Sequence, residues 1–107
     1  MGNEMTVYKA ITTAGQAIVS MAQSVKVNRS VRKQDAIILQ EQLHYIRAAC
    51  RARAYGELTR LSIDEMEKTL QRINQKNFSG EMLDMSMDLL RMQYQALRQI
   101  IQNHTMD

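Results

Sequence analysis

The chain reads as an all-α protein, an antiparallel helical bundle of about four helices forming one domain over residues 1–107. Three observations predict this. There is no proline and there are only four glycines, so the usual punctuation of strands and loops is scarce. Apolar residues recur at alternating spacings of three and four, the repeat of one helix face. A composition of 45% apolar and 23% charged residues in 107 suits a single domain with a modest core.

The first helix is predicted over residues 5–27. Val7, Ile11, Ala14, Ile18, Met21 and Val25 follow one another at 4, 3, 4, 3, 4, and Ala10, Ala17 and Ala22 widen the stripe. The pattern fails in "VNRSVRKQD", where charge accumulates. That places a connection near residues 27–31, with Ser30 as the N-cap of the next helix. Since this segment holds neither proline nor glycine, a single long bent helix is the alternative for the first two elements.

The second helix is expected from Val31 to Tyr55, with Leu39, Leu43, Ile46 and Cys50 inward at 4, 3, 4. Ile38, Tyr45, Ala49 and Ala52 form a neighbouring stripe whose alanines permit close approach of another helix. Gly56 marks its end. "SIDE", Ser62–Glu65, has the form of a capping box, with serine and glutamate each reaching the other's backbone N–H, and predicts the start of the third helix. Ile63, Met66, Leu70 and Ile73 then point inward, and "NQKNFSG" ends the helix, leaving Ser79 to cap a fourth.

The fourth helix carries the strongest pattern. Leu83, Met87, Leu90, Tyr94, Leu97 and Ile101 repeat at 4, 3, 4, 3, 4, and Met82, Met85, Leu89, Ala96 and Ile100 form a second stripe roughly 100° away. A helix apolar over so much of its circumference needs cover on two sides. Acids open the third and fourth helices (Asp64, Glu65, Glu67; Glu81, Asp84, Asp88), and cations follow (Arg72, Lys76; Arg91, Arg98), the order that the helix dipole favours.

"HYIRAACRARAYG", His44–Gly56, sets a cysteine and a histidine among arginines. On a helix Cys50 falls within the apolar stripe, while His44, Arg47 and Arg51 lie about 80° to 140° from Leu39; His44 is about 9 Å from Cys50 along the axis. A reactive thiol needs an adjacent base and an electropositive, accessible setting, so Cys50 reads instead as a small buried hydrophobe. With two histidines, one cysteine and no closely spaced ligand set, no metal site is expected. The acid pairs Glu81/Asp84 and Asp84/Asp88 read as solvated dipole-complementing residues. There is no Gly-rich phosphate loop and no nucleophile elbow. The expectation is a noncatalytic protein without cofactor or small-molecule substrate.

A single cysteine cannot form an intramolecular disulfide, no secretory leader pattern opens the chain, and the most apolar early stretch is too polar to span a bilayer. A cytoplasmic location is the expectation. The alanine-rich first helix, with Thr, Ser and Gln on its polar side, suits packing better than a membrane surface.

The net charge of +3 is unevenly spread: residues 1–60 hold nine cations against four acids, and residues 61–107 five against seven. Arg29, Arg32, Lys33, Arg47, Arg51 and Arg53 are candidate phosphate-binding residues, since a basic surface supplies the sequence-independent part of nucleic-acid affinity. The bland alternative is a solvated or partner-facing surface. Arg32 and Arg51 would stand about 28 Å apart on a straight helix, and the few aromatics offer no stacking platform. The leading expectation is therefore a protein–protein interaction or assembly subunit, self-associating or docking on a larger complex. Met82, Met85, Leu89, Ala96 and Ile100 are its candidate interface, and DNA or RNA backbone binding is the second reading.

Overall fold

The computed structural model describes the backbone of residues 3–24, 29–52, 56–75 and 80–105, with side chains for 7–23, 30–50, 56–75 and 80–103. Four helices, α1 (Asn3–Ser24), α2 (Arg29–Ala52), α3 (Glu57–Ile73) and α4 (Gly80–Thr105), form a bundle extending 42 × 23 × 18 Å. α1 packs closely on α2 and α3 on α4. The two hairpins meet along lighter α2–α3 and α1–α4 seams. The side-by-side packing of α1 and α2 rules out one long bent helix.

The inward stripes are those of the sequence. Val7, Ile11, Ala14, Ile18 and Met21 of α1 meet Leu39, Leu43, Ile46 and Cys50 of α2, Ile63, Met66, Leu70 and Ile73 of α3, and Leu83, Met87, Leu90, Leu97 and Ile101 of α4 in one buried cluster. Each large side chain so buried contributes about 1.5–3 kcal/mol. Ala10, Ala14 and Ala17 are buried in α1 and Ala36 in α2, and such small residues let two helix axes approach closely. Val25 and the side chain of Ala52 lie outside the described residues.

Three local features differ from the sequence expectation. α3 begins at Glu57, so Ser62 and Glu65 stand inside the helix and form no capping box. Gly56, with φ 92° in the left-handed region, redirects the chain into α3, and buried Thr59 continues the inward stripe one turn before Ile63. α2 starts at Arg29, which places Ser30 in its first turn rather than at its cap. Ile38 and Tyr45 are about 40% exposed, whereas Ala49 packs against the core.

α3 ends as expected, with the Asn74 N–H donating to the Leu70 carbonyl (3.2 Å) and the Gln75 N–H to that of Arg72 (3.1 Å). Ser79, the expected cap of α4, lies outside the described residues. One buried polar residue of α3, Thr69, donates its hydroxyl to the Glu65 carbonyl one turn back (3.1 Å).

Candidate functional site

α4 has two apolar sides. Its core side faces the other helices. Met82, Met85 and Leu89 on the other side are 61%, 69% and 39% exposed, Ala96 is exposed and Ile100 half-buried. Met92, absent from the sequence-predicted interface, is 69% exposed and fills the gap between Leu89 and Ala96. The completed row, Met82, Met85, Leu89, Met92 and Ala96, has spacings of 3, 4, 3, 4, a helix-packing repeat left exposed among the described residues. The signal for Met92 was in the sequence as the missing member of that repeat. Arg72 and Gln75 at the end of α3 border the row, forming a shallow hollow with Met82, Met85 and Ser86. Leu58 and Leu61, at the start of α3, are also exposed.

The candidate phosphate-binding cations are placed very differently from one another. The Arg47 guanidinium reaches from α2 to α3, where it bridges Asp64 (2.8 Å) and Glu67. Burial opposes its charge, but hydrogen bonding and attraction from Asp64 and Glu67 outweigh burial and hold its pKa above the ordinary arginine value. The exposed His44 lies 3.5 Å from the other Glu67 oxygen, through Nε2. Arg32 occupies the next position of the α2 core stripe, one turn before Ala36, and is buried at 6% exposure, its Nε included. Lys33 is exposed, and the side chains of Arg29, Arg51 and Arg53 lie outside the described residues.

The α1–α4 seam is built around a glycine. Tyr94 leans from α4 onto α1 and donates its hydroxyl to the Ile11 carbonyl (2.8 Å). A Cβ at Gly15 would stand 2.5 Å from that hydroxyl oxygen and 2.9 Å from the ring carbon bearing it, so only glycine leaves room for the ring. Burial raises the Tyr94 pKa, with the nearby Arg98 charge acting in the opposite sense. Beside this contact the helices part, leaving an open groove of about 520 Å³ whose walls include Tyr8, Val19 and Arg98.

Family models, curated proteins and solved structures give no match to this chain. The site therefore rests on its own geometry. Cys50 is buried in the core at 5% exposure, as its stripe position predicts. Among the described residues no three His, Cys, Asp or Glu side chains gather as a metal site would require, and no helix is long and apolar enough to cross a membrane. The exposed α4 row and the α1–α4 groove are surface features whose chemistry the core does not consume.

Proposed function

We propose that this protein is a small noncatalytic interaction or assembly subunit that associates through the outer face of α4. One observation carries the reading: Met82, Met85, Leu89 and Met92 form an exposed, helically spaced row on the side of α4 away from the core. Large contiguous apolar patches mark contact surfaces, and methionine adapts its shape to a partner.

Leu89→Asp is expected to weaken association by about 2 kcal/mol or more, the scale of a central interface residue. Light scattering on a size-exclusion column reads the association, and circular dichroism should show helicity retained. Loss of the helical signal together with association would make Leu89 a folding residue and remove the row as an interface.

The second reading is contact with DNA or RNA backbones through the basic residues of α2. Arg47 is already paired with two carboxylates of α3, so Lys33 and the cations whose side chains lie outside the described residues would carry that role. It requires copurifying nucleic acid, seen as raised absorbance at 260 nm, and affinity that falls steeply with salt.

A further inference from the structure

The groove between α1 and α4 is left unused by the association surface just described. It measures about 520 Å³, and a hollow of about 280 Å³ formed by Val19, Ala22, Gln23 and Arg91 extends it along the same seam. Its floor is apolar and aromatic: Ile11, Tyr94 and Ile101 sit at its base, and Val19, 56% exposed, stands open in its wall. Arg91 and Arg98 stand along its α4 side, seven residues or about 10.5 Å apart, and no described carboxylate lines either hollow. Both arginines are exposed, and neither forms an ion pair among the described residues.

The outer row of α4 has the complementary composition. Its side chains Met82, Met85 and Leu89 are bordered along one edge by Glu81 and Asp88, which are exposed, form no ion pair among the described residues and are also seven residues apart. At 100° per residue, the row and the groove side of α4 point about 160° apart. The molecule thus carries an acid-edged apolar ridge on one side and a cation-edged apolar groove on nearly the opposite side.

We infer that the occupant of the groove is the α4 ridge of a second copy of this chain, with Glu81 and Asp88 of one copy meeting Arg91 and Arg98 of the next. The inference rests on the association reading and names its partner. Matched seven-residue spacing lets both charge pairs form while the methionines cover Val19 and Tyr94. Because ridge and groove are different surfaces, the contact is heterologous and repeats head to tail instead of closing as a two-fold dimer. An antiparallel two-fold pairing of two ridges would instead set the acidic edges of both copies against each other, a like-charge arrangement that costs affinity.

Sedimentation velocity of the full chain over a range of protein and salt concentrations tests this. The expected result is a mass that grows past two chains with concentration and falls with salt. Arg91→Glu with Arg98→Glu, and separately Glu81→Lys with Asp88→Lys, should each weaken association about tenfold or more, because each sets like charges face to face. All four positions are exposed, and circular dichroism should show both variants folded. Mixing the two variants in equal amounts should restore assembly, since every ridge then meets a groove of opposite charge. A wild-type mass that stops at a dimer, a monomer at every concentration, or a mixture that stays dissociated overturns the inference. Association abolished by Leu89→Asp but indifferent to both charge reversals removes the groove while leaving the α4 face as the contact surface.

Discussion

Two seams join the hairpins of this bundle, and they are closed by different chemistry. Along α2–α3, Arg47 spans the gap and satisfies two carboxylates, with His44 beside the second. Along α1–α4, one tyrosine reaches a backbone carbonyl over a glycine, and the remaining length stands open as a groove edged by Arg91 and Arg98. The difference teaches how to read a cation on a helical surface. Arg47 and Arg98 have the same side chain on similar amphipathic helices, yet the first is part of the fold and the second faces an unfilled surface. What separates them is whether the opposing helix presents acids.

Breaking the tyrosine seam should have the largest effect. Gly15→Ala drives a methyl into the Tyr94 hydroxyl and is expected to cost about 1–3 kcal/mol, as overpacking does. With Tyr94→Ala in the same chain, the methyl meets open space, and Gly15→Ala should become neutral or stabilising by up to about 1 kcal/mol through helix propensity. Thermal and urea unfolding of the two single variants and the double variant measure this coupling; additive effects would mean that the ring does not depend on the glycine.

Next comes the ionic seam. Arg47→Ala leaves Asp64 and Glu67 without their shared cation and is expected to cost about 1–2 kcal/mol, less at high salt because the group is partly exposed. Urea titrations at low and high salt test it, and a wild-type difference that does not shrink with salt would mean the loss is one of packing.

The smallest effect belongs to the tyrosine hydroxyl. Tyr94→Phe keeps the ring but removes the bond to Ile11, for an expected loss of about 1 kcal/mol. Since burial raises the Tyr94 pKa, the folded chain holds the phenolic proton more tightly than the unfolded one. Its contribution is therefore fully present below the ordinary tyrosine value of about 10 and is lost as pH rises through the folded value. Stability of the wild type should fall faster above that pH than stability of Tyr94→Phe. Parallel curves would remove the phenol as the titrating group.

Much of the fold was legible because burial imposes a period. The stripes of α1 to α4 named themselves through alternating spacings of three and four, and Cys50 followed from its place in one of them. The start of α3 was misplaced because "SIDE" satisfies a local capping rule, while the tertiary structure buries Thr59 a turn earlier and uses Gly56 for the turn. Local hydrogen bonding proposed one boundary, and packing chose another. Of the interface candidates, Met82, Met85, Leu89 and Ala96 are exposed, whereas Ile100 is half-buried; Met92, not among them, completes the row. The distinction depends on which neighbouring helices cover which degrees of the α4 circumference.

By itself the sequence determined that this chain is all-α with about four helices, where several of them end or begin to within a few residues, and which side of each faces inward, since those properties depend on residues three or four apart; it left open whether the first two helices are separate. The tertiary structure alone decided that α1 folds back on α2, that Arg47 is spent on Asp64 and Glu67 while Arg91 and Arg98 are not, and that Gly15 admits Tyr94 beside an open groove. These are relations between residues far apart in the chain, and no helical period encodes which surfaces will meet.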